Sequence, residues 1–196
     1  MAEVPLLRID ERLIHGQVVA GFLRSLSCNR VIIIDDGVRN DKFMKKILEM
    51  AMPPSAKLTV YSCAEATESW RKDQFGPGRA IIIFKSISGA HQAHQAGFDF
   101  KTLQIGGCIY SPSKKQVFGP VYMNDEDAVF LNDLENAGVD IIFQVLAEKK
   151  ATSWEKIKAI PQFSVAAPNI KGALQEYLLE GPLAEKAISY KRSEMF

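Results

Sequence analysis

Two hydrophobic patterns alternate along the chain. Short continuous apolar runs stand at 31–34 and 80–84, and shorter or interrupted ones that also read as strands at Val4, Leu6, Leu7 and Ile9, at 103–105 and at 140–146. Runs of this kind, rich in β-branched residues, suit strands buried on both faces of a parallel sheet. Lys57–Tyr61 reads as a further strand. Between the runs, apolar residues fall at helical spacing: Leu13, Ile14, Val18, Val19, Phe22 and Leu23; Phe43, Met44, Ile47, Leu48 and Met50; Ala64, Ala66 and Trp70; and Ala128, Val129, Leu131 and Leu134. Asn40 or Asp41 is placed to cap the second of these helices, and Pro53-Pro54 to stop it. Asn124 or Asp125 is placed to cap the helix that Gly138 closes. Helices are also expected over 87–97 and 154–160.

Strands and helices alternating through short links predict one doubly wound α/β domain over residues 1–160. Its single, mostly parallel sheet should carry helices on both faces, joined by right-handed crossovers. The polar loop 111–115 and short extended pieces over 116–123 interrupt the alternation. Residues 161–196 begin with an irregular, proline-bounded stretch. Helical spacing follows at Ile170, Leu174, Tyr177 and Leu178, and again at Leu183, Ala187 and Ile188. They are expected to form a helical C-terminal extension, packed on the sheet or on a second subunit, or docking a partner.

Composition narrows the class. The 196 residues are 47% hydrophobic and 24% charged with a net charge of +1, as in a globular protein with a substantial core. That balance gives no bulk attraction to nucleic acid or to membranes. Cys28, Cys63 and Cys108 are odd in number, widely spaced and outside any CxxC, which suits buried thiols in a reducing compartment. No apolar run approaches the roughly 20 residues of a membrane helix, and charges come too early for a signal peptide. A soluble, cytoplasmic protein is expected.

The candidate chemistry lies where the first strand gives way to the first helix, in LLRIDERLIHGQVV at 6–19. His15 falls at or near the helix N-terminus, where unpaired amides and the dipole favour a phosphate and disfavour imidazolium. A neutral imidazole is a nucleophile and can accept a phosphoryl group. Asp10 or Glu11 could supply the carboxylate that fixes its tautomer. Arg8 and Arg12 bring fork-shaped donors suited to phosphoryl oxygens, and Gly16 permits close approach. A salt-bridged surface turn would use the same residue types. Asp35, Asp36, Lys85, Ser86, Gly106 and Gly107 end strands on the same predicted edge, where open α/β sheets bind ligands. They serve either as caps and turns or as a rim facing sugar or partner. His91 and His94 lack the further ligands a zinc site needs, so no metal is expected. No phosphate-cradling glycine motif stands at a strand end, so no nucleotide cofactor is expected either.

RIDERLIHGQV closely resembles the opening motif of the IIB components of the mannose/fructose/sorbose family of the bacterial sugar phosphotransferase system (PTS). The match is unbroken from Arg8 to Val18. Echoes follow in VIIIDDGVRND at 31–41, MAMPP at 50–54, LQIGGCIYSPSKKQV at 103–117 and MNDEDAVFLNDLENAGVDI at 123–141, so the likeness spans roughly residues 4–160. The resemblance implies a phosphotransferase that carries a phosphoryl group on His15, with Arg8, Asp10 and Arg12 binding phosphate and orienting the ring. It implies a IIA phosphodonor, IIC and IID membrane components and a sugar as partners. Family members commonly pair, so a homodimer is a candidate. Two positions depart from close relatives: Gln104 stands where Asn is frequent, and Phe22 where Trp is common. Two other functions use the same histidine. One is a regulatory module that takes a phosphoryl group as a switch without sugar transport. The other is a doubly wound metabolite enzyme with His15 as acid–base. The identity of the sugar is left open, because the membrane partners would set much of it.

Overall fold

The computed structural model describes residues 1–160, and the expected helical extension over 161–196 lies outside the described residues. Strand β1 (Ala2–Asp10) leads through a loop to a π-helical segment, Gln17–Leu23. Then come β2 (Arg30–Ile34), α1 (Asp36–Asn40), α2 (Lys42–Ala51), β3 (Lys57–Tyr61), α3 (Cys63–Asp73), β4 (Gly78–Phe84), α4 (Ile87–Gln95) and β5 (Thr102–Gly107). A hairpin of β6 (Lys115–Phe118) and β7 (Val121–Met123) precedes α5 (Asp125–Asn136), β8 (Asp140–Phe143), β9 (Thr152–Ser153) and α6 (Trp154–Lys158).

The main sheet runs β3-β2-β4-β1-β5-β8-β9, and every pairing is parallel except β9 on β8. The central strands are buried on both faces, which is why they read as unbroken apolar runs and not as alternations. On one face Leu6, Val31, Ile33, Ile81 and Ile83 pack with Val18, Phe22, Leu23 and Leu48. On the other, Phe84 meets Phe98 and Phe100, and Trp70 and Phe75 extend the aromatic layer. Side-chain caps set the helix starts: Asp41 for α2, Ser62 for α3, Ser86 for α4 and Asn124 for α5.

Three boundaries differ from the sequence reading. The first helix begins at Gln17, so Leu13 and Ile14 belong to the loop. They are buried, and their helix-like spacing reflects a loop plugged into the core. The last parallel strand ends at Phe143, not at 146; beyond it the chain turns back and returns as β9. A five-residue helix, α1, precedes the expected one. Among the described residues no helix is long and apolar enough to cross a membrane.

Candidate functional site

Strand periodicity puts Arg8 and Asp10 on the same face of β1, at its carboxyl end. Both are fully buried. A buried guanidinium and a buried carboxylate are tolerated only when every polar atom is paired, and here they are. Arg8 donates to Asp10 Oδ2 through Nε (3.2 Å) and Nη2 (2.9 Å), to the Val145 carbonyl through Nη2 (3.1 Å), and through Nη1 to Gln104 Oε1 and the Gln144 carbonyl (2.7 Å). These bonds use all five N–H groups of the side chain. Burial pulls the Arg8 guanidinium below its usual range, and the Asp10 charge pushes it back.

Space for Arg8 comes from a register shift. Along β1 and β5, Ile9 pairs with Ile105 but Asp10 pairs with Gly107, so Gly106 is left over beside the guanidinium. A Cβ on Gly106 would stand 1.7 Å from Arg8 Cζ. The Phe22 ring covers Cζ at 4.8 Å. Gly107 is confined less severely: a Cβ there would meet Asp10 Oδ1 at 3.0 Å and Arg12 Nη2 at 3.1 Å.

Arg12 takes the outer side of the same carboxylate. Its Nε lies 2.9 Å from Oδ1 and its Nη2 3.0 Å from Oδ2, while its backbone N–H also reaches Oδ1 at 3.2 Å. About a third of the Arg12 side chain is exposed. His15 stands above the pair, partly exposed, with Nε2 at 3.8 Å from Asp10 Oδ2. That is beyond hydrogen-bond length, and Nε2 is enclosed and unpartnered. Nδ1 lies 3.0 Å from the Leu13 carbonyl. The loop aims this carbonyl by holding Leu13 at φ 56°, a left-handed conformation rare for leucine, with the Leu13 N–H bonded to the Asp10 carbonyl at 2.9 Å.

Several expected roles change. Arg8 does not face a phosphate: it is sealed under Asp10 with no donor to spare. The tautomer partner in this geometry is the Leu13 carbonyl and not a carboxylate. Glu11 turns away to accept the Ile109 N–H at 2.8 Å. Gly16 caps the π-helical segment, and a Cβ there would meet nothing within 4 Å, so its side toward solvent is open. On the predicted rim, Gly106 and Gly107 belong to the floor just described. Asp35 caps α1, Asp36 accepts the Cys63 N–H at 2.8 Å, and Ser86 caps α4. Lys85 follows β4, half-buried, at the same edge. His91 and His94 diverge, His91 onto Phe130 and Asp133 and His94 onto Phe100. Cys108 follows Gly107, but burial pushes its thiol up to about 12, which removes it as a nucleophile.

Sequence reasoning missed Gln144 and the Leu13 carbonyl. Gln144 lies where a strand was expected to continue, and a backbone carbonyl carries no side-chain signal. Gln104 was visible only as a departure from relatives. A cavity of about 770 Å³ is lined by Leu6, Phe22, Gln104 and Gln144 among others, and His15 is not among its walls.

A doubly wound domain that presents one histidine over a charge-saturated carboxylate, at an open sheet edge, defines the class. A sequence profile of the PTS system sorbose subfamily IIB component matches residues 4–167. The sorbose-specific EIIB component of Klebsiella pneumoniae is 31% identical over 145 residues, 74% of this chain and 88% of that one. The crystal structure of the IIBSor domain of the Klebsiella pneumoniae sorbose permease superposes with a TM-score of 0.74 at 29% identity, covering 79% of this chain and 95% of that one. The structure of manxB from Thermoanaerobacter tengcongensis gives a TM-score of 0.75 at 28% identity, over 81% and 96%. The chain belongs to the sorbose subfamily of PTS IIB components. It is therefore a phosphotransferase of the sugar PTS, with the phosphocarrier role of that family.

Proposed function

We propose that His15 accepts a phosphoryl group from a phosphohistidine of a IIA protein or domain and passes it to a sugar held by IIC and IID membrane components, at the cytoplasmic face. The observation that carries this reading is the partly exposed His15 ring, 3.8 Å from an Asp10 carboxylate that two arginines fix. Nδ1 is the acceptor. A phosphoryl group on Nε2 would be forced against the Asp10 carboxylate, in a space that admits no solvent. For Nδ1 to act, the ring turns off the Leu13 carbonyl toward solvent, Nδ1 gives its proton to water while Nε2 takes one up, and the new Nε2–H donates to Asp10. The Nδ1 lone pair then attacks phosphorus as the donor's N–P bond breaks, and the donor imidazole leaves with that electron pair. Asp10 stabilises the positive charge growing on the ring, and Arg12, at the surface, meets the phosphoryl oxygens. Sugar hydroxyl attack later reverses the bond changes at His15. Positioning and charge account for such a transfer without other chemistry.

The surroundings suit a protein donor. Exposed apolar side chains flank this edge, with Phe43 and Met44 in the first turn of α2 and Ile109 and Tyr110 after β5. The test is intact-mass measurement after mixing the protein with phosphoenolpyruvate, the general PTS proteins and a matching IIA. One acid-labile phosphoryl group, mapped to Nδ1 of His15 by nitrogen NMR and lost in His15→Ala at unchanged Tm, is the expected result. No phosphate from a verified donor overturns the reading, and a phosphate retained without any transfer to sugar favours the regulatory switch.

A further inference from the structure

An unbroken line of side-chain hydrogen bonds leaves the site by way of Arg8. Arg8 Nη1 donates to Gln104 Oε1. Gln104 Nε2 donates to Gln144 Oε1 at 2.8 Å. Gln144 Nε2 in turn donates to the carbonyls of Ala147 (3.2 Å) and Lys149 (2.6 Å). The Gln144 N–H is bonded to the Ile105 carbonyl at 3.0 Å, so this residue is fixed by backbone as well. Three of the five Arg8 donors thus end on Gln104 or on the carbonyls of 144 and 145. Only the other two hold Asp10.

The geometry points to Gln104 and Gln144 as positioning residues for phosphoryl transfer at His15. Neither touches the reacting atoms. Each acts through Arg8, whose orientation fixes the Asp10 oxygen that faces the histidine. Phe22 and Gly106 confine the guanidinium above and below but leave it free to slide in its own plane. What stops that motion is the set of acceptors at its far end, and Gln104 supplies one as a side chain. The turn 144–149 is consequently part of the site, although it lies beyond two intervening residues.

The inference rests on the phosphocarrier reading, so its test reads both the transfer and the ring itself. Gln104→Leu removes the acceptor at similar size, Gln104→Glu keeps an acceptor for Arg8, and Gln144→Ala cuts the line one residue further out. For Gln104→Leu the rate constant for acceptance should fall about tenfold, while the KM for the phosphorylated donor stays within about twofold, because the docking surface is untouched. Gln144→Ala should fall less, and Gln104→Glu, which keeps the acceptor for Arg8 but loses the Nε2 donor to Gln144, should recover only part of the loss. In the unphosphorylated protein, the nitrogen NMR signals of the His15 ring should shift in the same order. A folded Gln104→Leu protein with wild-type rate and unchanged ring signals overturns the inference. So does a loss of rate that merely tracks a loss of folded protein by circular dichroism. If the wild type itself accepts no phosphate, the phosphocarrier reading falls, and the ring signals alone still decide whether Gln104 and Gln144 are coupled to His15.

Discussion

The floor and the lip of this site are built from the same chemistry and behave as different materials. Arg8 and Arg12 are four residues apart and both fork onto Asp10. Arg8 is sealed between Phe22 and Gly106 and uses every donor. Arg12 is about a third exposed and commits only one side of its guanidinium. Burial, not residue type, separates a strut from a clamp. A buried ion pair cannot be broken without stranding a charge, whereas an exposed one exchanges its partner for water or phosphate at little cost.

The largest effect expected from this contrast is on the floor. Gly106→Ala drives a methyl group into Arg8, which has no room to yield while its five bonds hold. Displacing it strands the buried Arg8 guanidinium away from its acceptors, at about 3–5 kcal/mol, enough to lower Tm by roughly 6–20 °C in a domain of this size. A Tm within 2 °C of wild type would mean the floor is soft and the contrast false. The lip should respond in the opposite currency. Arg12→Ala should lower Tm by only a few degrees, since Arg8 still neutralises Asp10, but slow phosphoryl acceptance by about 100-fold. Equal rates in Arg12→Ala and wild type would remove Arg12 from the clamp.

The smallest effect tests whether ion pairing as such gives the floor its strength. Arg39 and Glu65 form an equally good fork, 2.6 and 2.8 Å, at a solvent-exposed position between α1 and α3. The Arg39 bonds and the Ser62 N–H hold the Glu65 carboxyl down to about 2. A depressed carboxyl stabilises the fold above its unfolded value near 4.3 and loses that contribution as pH falls toward about 2. Between pH 5 and 2.5, wild type should therefore lose its Tm advantage over Glu65→Gln. Exposure keeps that advantage to no more than about 3 °C. A much larger difference would make pairing, not burial, the source of strength at Arg8.

Much of this fold was legible because a parallel sheet writes itself as continuous apolar runs, and 31–34 and 80–84 both became central strands. The caps Asp41 and Asn124 were legible to within one residue, as Asn40 or Asp41 and Asn124 or Asp125, because their chemistry is local. The motif pointed to His15 and Asp10, which the structure brings within 3.8 Å of each other, and Arg12 keeps an outward face. Arg8 was misread because burial is not local: nothing near residue 8 announces that Gly106, Gln104 and the carbonyls of 144 and 145 will enclose it. Leu13 was misread for a related reason. Its spacing fits a helix, but its side chain is a loop residue anchored in the core.

Leu13 also bears on the tempo of the carrier. Its left-handed backbone is uncomfortable by about 1–2 kcal/mol, and the ring is tethered to its carbonyl by a single hydrogen bond, a net hold of about 1 kcal/mol. A latch so slight opens on the roughly nanosecond-to-microsecond scale of side-chain and loop motion. Proteins at about 10 μM that associate at roughly 10⁵–10⁷ M⁻¹s⁻¹ meet only once in 10 ms to 1 s. On the phosphocarrier reading, His15 tries both of its faces many thousands of times before a donor or an acceptor arrives, and traffic through the protein runs at the pace of its visitors.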